Sequence, residues 1–364
     1  MKLKVSKEKI LNSLQKVQSV VSSRTTLPIL SNVLIKAEKD RIHLTATDLD
    51  VSVVASCEAQ VSKGGATTLP ARRIFSIFKE LPGPDVEIEV DDKNQASIRS
   101  GPSYFRLVGA AEDEFPPLPK LDAARTYSLN QGTFREMLRN TSYATSRDES
   151  RPMLNGVLLS FKSDKLAVVA TDGRRMALHE QEVEFPKGAE GDLILPFKTV
   201  EELTATLQAD GQLKILTTAK QIAFEFDDIV IISKLVEGTF PNFRQVIPAQ
   251  SEERISLERE LLLNALRRVS LVAGDNSTSV KLAFTKNKLE ITMSAPNVGE
   301  ASETLATKYV GRAITIAFNP DFLMDPLRTL TSDEIALELT DDMNPGVIKC
   351  NVPFLYVIMP MRVN

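Results

Sequence analysis

The chain has 364 residues, 43% of them hydrophobic, with a formal net charge of −4, two cysteines and two histidines. That size and apolar content fit two or three globular domains and exclude a disordered chain. The charge does not mark a strongly basic nucleic-acid binder, and so few His and Cys argue against a His/Cys zinc site or a Cys–His nucleophile pair.

No apolar run approaches the ~18 residues that a membrane-spanning helix needs. The N-terminal MKLKVSKEKI has no apolar signal core. Cys57 and Cys350 are therefore expected as reduced thiols in a soluble cytoplasmic protein.

In chain order, the first predicted element is a helix over 6–21, with Ile10, Leu11, Leu14, Val17 and Val21 on one stripe. Two alternating strands joined by a charged turn follow in LPILSNVLIKAEKDRIHLTATD, Leu27 to Asp48. TTLPARRIFSIFKEL, Thr67 to Leu81, reads as a strand and then a helix starting at a proline, where the missing N–H costs nothing. Paired strands VEIEV and YFRLVG close the segment before EDEFPPLP.

The same order then returns. A helix over 130–145 carries Phe134, Met137, Leu138 and Tyr143. RPMLNGVLLSFKSDKLAVVATD, Arg151 to Asp172, repeats the strand pair, and the ATD tripeptide recurs 124 residues after its first copy. LILPFKTVEELTATL repeats the strand and helix, and IAFEF, IVIISKL and VEGTFPNF repeat the close. A third, weaker copy has a helix over 257–272 with Leu261, Leu262, Ala265 and Val269 inward. It continues with STSVKLAFTKNKLEITMSAP without ATD, with TIAFNPDFLMDPLRTL, whose Pro326 is expected to kink or shorten the helix, and with IALEL and LYVIMP.

Three α+β copies of about 120–125 residues result, with domains expected at 1–122, 123–250 and 251–364. The repeat explains ATD without catalysis. Asp48 or Asp172 at a strand end can accept hydrogen bonds from backbone N–H groups in the next turn.

The six helices sum to a formal charge of +5, which leaves about −9 for the rest of the chain. If all six face one way, that surface is positive and suits weak, salt-sensitive, sequence-independent contact with DNA. No recognition helix, zinc finger, aromatic-rich platform or GxxxxGK[ST] loop is visible.

Over its whole length the chain resembles the bacterial DNA polymerase III beta subunits, the beta sliding clamps. The resemblance is carried by RTTLPILSNVLI, LTATDLDVSVVA, TTLPARRIFSIFKELP, MLNGVLLSF, VVATDGRRMAL, SKLVEGTFPNFRQVIP and YVIMPMR. It implies three repeated clamp domains, each with two helices packed on two small antiparallel sheets, and a head-to-tail homodimer closing a ring around duplex DNA. It implies a processivity factor with no chemistry and no cofactor of its own. The implied partners are the replicative polymerase alpha subunit, a clamp loader, translesion polymerases and repair proteins, engaged through short QLxLF-type peptides near the nucleoid.

Carried over residue by residue, the resemblance implies a peptide cleft of Leu154, Thr171, Gly173, Arg174, Arg175, Met176, Pro241, Val246, Val357, Ile358, Met359, Pro360, Met361 and Arg362. Apolar and Met side chains would take Leu and Phe anchors. Arg175 and Arg362 would bind peptide carbonyls or an acidic neighbour. The implied DNA contacts are Arg24 first, then Arg72, Arg73, Arg135, Arg139, Arg147, Arg151 and Lys198. For the dimer, Phe105 and Leu107 would face Leu271 and Val272 of the other copy.

Three departures from the family pattern bear on partner preference. Arg174 stands where His is common, Gln245 where a basic residue is frequent, and Val363-Asn364 extends the usual end. Two other readings compete: a metal-dependent phosphoryl-transfer enzyme using Asp48 and Asp50, and a peptide scaffold with no DNA role.

Overall fold

The computed structural model describes residues 1–21, 27–119, 121, 125–148, 150–186, 188–274 and 279–362. The first copy contains β1 (Lys2–Ser6), α1 (Lys7–Gln18), β2 (Asn32–Glu38), β3 (Arg41–Thr47), β4 (Val51–Glu58), β5 (Gln60–Lys63), β6 (Gly65–Pro70), α2 (Ala71–Glu80), β7 (Asp85–Val90), β8 (Gln95–Ser100) and β9 (Ser103–Val108). The second contains β10 (Arg125–Asn130), α3 (Gln131–Thr141), β11 (Gly156–Lys162), β12 (Lys165–Thr171), β13 (Arg175–Glu182), β14 (Gly191–Pro196), α4 (Phe197–Thr206), β15 (Gln212–Thr217), β16 (Gln221–Phe226) and β17 (Ile229–Lys234). The third contains β18 (Glu253–Glu258), α5 (Arg259–Val269), β19 (Val280–Thr285), β20 (Lys288–Ala295), β21 (Gly299–Ala306), β22 (Ile314–Phe318), α6 (Pro320–Thr329), β23 (Glu334–Leu339), β24 (Gly346–Lys349) and β25 (Phe354–Ile358).

The repeat is therefore real, and richer than the sequence pattern suggested. Each copy opens with a strand before its first helix, in a segment to which the sequence reading assigns no element. KLKVS alternates exposed and buried residues and then passes straight into Lys7. Each copy also closes with three strands rather than two, β8, β15 and β24 being the additional ones.

Contacts divide the chain into two compact units, residues 1–135 with 201–235, and residues 136–200 with 236–364. The first unit holds a five-stranded sheet ordered β5-β1-β7-β8-β9 and an eight-stranded sheet ordered β10-β15-β16-β17-β4-β3-β2-β6. The second holds an eight-stranded sheet ordered β14-β11-β12-β13-β25-β24-β23-β18 and a four-stranded sheet ordered β21-β20-β19-β22.

Both eight-stranded sheets are made the same way. The last strand of one copy pairs antiparallel with the third hairpin strand of the copy before it, β17 with β4 and β25 with β13. The two small sheets expected in each copy are thus continuous across successive copies. At the chain's two open ends the equivalent strands, β9 and β21, are left as sheet edges.

Helix burial follows the 3.6-residue period. Ile10, Leu14 and Val17 are buried on α1, and Phe134, Met137 and Leu138 on α3. On α5 the inward face is Leu262, Leu263, Ala265, Leu266 and Val269. Leu261, assigned to that stripe from sequence, is 51% exposed, because Leu262, Leu266 and Val269 define the better-spaced face.

Pro70 and Pro196 end strands just before their helices, whereas Pro320 occupies the first turn of α6. There Asn319 caps the helix by accepting hydrogen bonds from the amides of Asp321 (2.9 Å) and Phe322 (3.2 Å). Pro326 does not shorten α6, which runs 10 residues, as α2 and α4 do. Having no N–H, Pro326 cannot bond the Phe322 carbonyl one turn earlier. The Tyr356 hydroxyl donates to that oxygen instead, at 2.9 Å.

Phe134 is fully buried and stacks on Phe224 at 5.8 Å between ring centroids. Phe134→Ala is expected to cost about 3–5 kcal/mol through lost burial and the cavity left behind. Urea unfolding followed by circular dichroism measures it, and a cost under about 1 kcal/mol would mean that the site collapses.

Candidate peptide-binding cleft

The two ATD turns are built alike. In the first, Asp48 Oδ1 accepts the amides of Asp50 (3.0 Å) and Val51 (2.7 Å), and Thr47 Oγ1 accepts the Leu49 amide at 3.1 Å. In the second, Asp172 Oδ1 accepts the amides of Arg174 (2.9 Å) and Arg175 (3.1 Å), and Thr171 Oγ1 accepts that of Gly173 at 3.1 Å. These bonds close each turn and account for the recurrence of Thr and Asp. They also argue against the metal-enzyme reading, because Asp48 is aimed at backbone amides while Asp50 pairs with Lys234 at 3.0 Å. Among the described residues no group of three or more His, Cys, Asp or Glu could hold a metal ion.

The turns differ in their tips. Gly173 has φ +89°, a conformation natural to glycine, whereas Leu49 takes φ +79° in the first turn. Gly173 and Arg174 lie exposed, and Met176 behind them is buried. β13 then runs beside β25, with Arg175 opposite Ile358 and Met176 opposite Val357. The Met359 amide donates to the Arg174 carbonyl at 2.9 Å, and the Met361 amide to the Ala317 carbonyl at 2.8 Å. The C-terminal segment is thereby laid alongside the turn by backbone bonds.

Beneath the turn lies an apolar cluster that contains Leu154, Met176, Val357 and Phe240, with Met153, Val236, Phe243, Ile247 and Leu355 packed against it. Leu154, Met176 and Val357 thus form a floor. Met359 (45% exposed), Val246 (50%) and the exposed Pro241 and Arg362 are open to solvent, and Pro360 and Met361 are half-buried. Met361 and Arg362 also border a hollow of about 440 Å³ whose other walls include Thr315, Ala317, Asp342 and Met343.

Sequence reasoning missed Phe240, Phe243, Ile247 and Met153. The Phe-Pro turn was the available signal: its phenylalanine is buried at Phe115 as at Phe240.

Three expected cleft residues are used differently. Ile358 is fully buried, and the Thr171 hydroxyl is spent on its own turn, donating to the Arg175 carbonyl at 2.7 Å. Asp172, outside the expected set, closes the turn. Arg175 is the principal correction. Its side chain is 10% exposed and satisfied within the protein rather than held ready for a peptide. Nε donates to Asp172 Oδ2 (3.0 Å), Nη1 to Asp325 Oδ2 (2.5 Å) and Nη2 to the Tyr143 carbonyl (2.7 Å), and the guanidinium sits 4.1 Å from the Phe322 ring centroid. Asp325 also accepts from Arg328 Nη1 at 3.0 Å. Tyr356 packs in the same region, and burial pushes its phenol well above the usual range. No local pattern could have announced a partner 150 residues away.

Arg24, the first expected DNA contact, lies outside the described residues. Arg72, Arg73, Arg139, Arg147 and Lys198 are exposed. Arg135 is half-buried, with Nε donating to the Thr204 carbonyl at 3.1 Å. Arg151 pairs with Asp148 at 3.0 Å, and its guanidinium lies beside Gly173.

At the free edge, Phe105 is 38% exposed and Val108 74%. Leu107, also expected to face a second copy, is 8% exposed, although it shares a face of β9 with Phe105. Leu271 is 83% exposed and Val272 half-buried. Cys57 and Cys350 are free thiols, and burial raises the Cys57 pKa. No helix among the described residues is long and apolar enough to cross a membrane.

A thrice-repeated α+β scaffold whose sheets run on from one copy to the next defines the class of clamp-fold proteins. Models of the N-terminal, central and C-terminal domains of the DNA polymerase III beta subunit match residues 1–119, 128–242 and 244–362. The chain belongs to the bacterial DNA polymerase III beta subunit family, the beta sliding clamps. It is 38% identical over 364 residues to the beta sliding clamp of Chlamydia pneumoniae and 32% identical over 369 residues to that of Escherichia coli K12, with full coverage of both chains in each case. Among solved structures it is similar to the Bacillus subtilis DNA polymerase sliding clamp, at 30% identity and a TM-score of 0.96. It is also similar to the Bartonella birtlesii sliding clamp bound to griselimycin, at 35% identity and 0.94, again with full coverage of both chains.

Proposed function

We infer that the chain is a non-catalytic sliding clamp, which encircles duplex DNA and tethers the replicative polymerase. The observation that carries the assembly is the repeated junction: β17 pairs with β4 and β25 with β13, while among the described residues the equivalent β9 and β21 have no partner strand on one side. Pairing β9 of one copy with β21 of another applies the same rule between molecules. Done head to tail, it closes a dimer and removes both exposed edges. Phe105 and the Leu271–Val272 turn would border that seam, with Val108 beside it.

Three domains, at 1–122, 123–250 and 251–364, are the repeating units of this ring. The exposed Arg72, Arg73 and Arg139 of the helices and Arg147 in the loop after α3, together with Arg24, would supply a weak, sequence-independent attraction to phosphates, since enclosure replaces affinity. The cleft floored by Leu154, Met176 and Val357 would take the apolar anchors of QLxLF-type peptides from the polymerase alpha subunit, the clamp loader and repair proteins. Arg174 and Arg362 are the exposed cations at its margin.

Fluorescence polarisation with a labelled QLxLF-type peptide tests the cleft. The intact chain is expected to bind saturably and a chain truncated before Met359 to lose binding. Met361→Ala is expected to weaken it about tenfold without changing the dimer on a sizing column. A folded dimer that ignores the peptide would refute the cleft assignment, and a monomeric Met361→Ala protein that binds normally would reverse the two surfaces.

A further inference from the structure

The two ATD turns provide an internal control on Arg175. Both have the same Thr and Asp bonds, and in both the residue three after the aspartate begins the next strand, beside the last strand of the following copy. That residue is Val51 in the first turn, opposite Ser233, and Arg175 in the second, opposite Ile358. Even the following backbone bond recurs, from the Lys234 amide to the Asp50 carbonyl and from the Met359 amide to the Arg174 carbonyl. A valine therefore suffices to fold this turn. An arginine there brings a charge into a largely buried site, which costs desolvation that an apolar side chain avoids. Its presence calls for a role beyond closing the turn.

What Arg175 adds is a rigid tie. Its guanidinium joins Asp172 in the turn, the Tyr143 carbonyl after α3 and Asp325 on α6, over the face of Phe322. Three donor directions of one planar group are fixed at once, which a lysine could not reproduce. The turn so held carries Gly173 and Arg174 at the cleft and the carbonyl that docks Met359.

Asp325 sits at the far end of this tie, on a helix that contributes no expected cleft residue. Its second oxygen is engaged by the more exposed Arg328. We propose that Asp325 is a positioning residue for peptide binding: through Arg175 it sets the placement of the Gly173–Arg174 tip and of the Met359–Arg362 segment. The inference rests on the peptide-cleft reading above and adds a residue that the reading did not contain. Arg328 bonds the other oxygen of the same carboxylate and is not a member of the cleft.

The test is peptide affinity and dissociation rate, by polarisation and stopped flow with the same labelled QLxLF-type peptide, on the full-length protein well below each variant's melting temperature. Asp325→Asn is expected to weaken binding about tenfold, mostly through faster dissociation. Asp325→Glu is expected to recover most of it. An Asp325→Asn plus Arg175→Lys double variant is expected to lose little more than the worse single variant, since both act through one contact.

A folded Asp325→Asn protein with unchanged affinity, while Met361→Ala has lost it, would overturn the positioning role and leave the cleft standing. No binding by the unaltered chain would instead remove the cleft itself. If Asp325→Asn does not fold, Arg175→Lys decides: a folded Arg175→Lys protein with unchanged affinity would show that the tie to Asp325 does not place the tip, and weakened binding would support it.

Discussion

Arg175→Ala is expected to destabilise the protein by about 2–4 kcal/mol, among the largest effects of any single side chain outside the apolar core. Removing one partner from a buried ion pair costs more than the pair contributes, because the remaining charge stays desolvated. Here the side chains left behind are Asp172, 16% exposed, and Asp325, 21% exposed. Their residual access to water and the surviving Arg328 contact keep the loss below that of a fully enclosed pair. The Tyr143 carbonyl also loses its donor, and Phe322 loses the cation over its ring. Pairing Arg175→Met with Asp325→Leu should recover at least half the loss, since an apolar pair of similar volume avoids the desolvation. Urea unfolding of the three proteins at pH 7 measures this. A loss under about 0.5 kcal/mol for Arg175→Ala would show that the network holds nothing in place.

The second large effect is on acid stability. His179, on β13, is 4% exposed; its Nδ1 lies 3.3 Å from Asn140 Nδ2, and its ring stands edge-on to Phe354. Burial lowers its pKa to about 4, against 6.5 ordinarily. The native chain therefore holds a neutral imidazole where the unfolded chain takes up a proton. Above pH 6.5 nothing is lost; as pH falls from there towards 4 the unfolded state gains protons and stability drops. Between pH 7.5 and 5 the loss attributable to His179 is about 2 kcal/mol. His179→Gln, which cannot titrate, is expected to be less stable at neutral pH but to show a correspondingly flatter decline on acidification. Parallel slopes for the two proteins in urea unfolding across that range would contradict the assignment.

What could be read from the chain was set by short-range physics. Alternation of period 2, helix stripes of period 3.6 and the prolines beside helix starts exposed the threefold repeat, because each acts within ten or so residues. The Thr-Asp turns were legible for the same reason: Asp48 and Asp172 bond amides two and three residues ahead. The proposed cleft comes from resemblance, as a set of segments rather than as a surface. Leu154, Met176 and Val357 do meet in one cluster, while Ile358 and Arg175 are spoken for inside the protein.

The sequence by itself determined the copy number, the two helices of each copy, most of its strands and most of the inward-facing residues. Only the tertiary structure decided which strands join successive copies, which edges stay open, that Leu107 is buried while Phe105 on the same strand face is not, and that Arg175 reaches Asp325. The reason is physical. Hydrogen bonds along a strand edge are indifferent to sequence, so β25 could pair with many strands until packing selected β13. A long side chain such as arginine has no local preference that names its partner, so the contact exists only once helix α6 and the turn have been brought together.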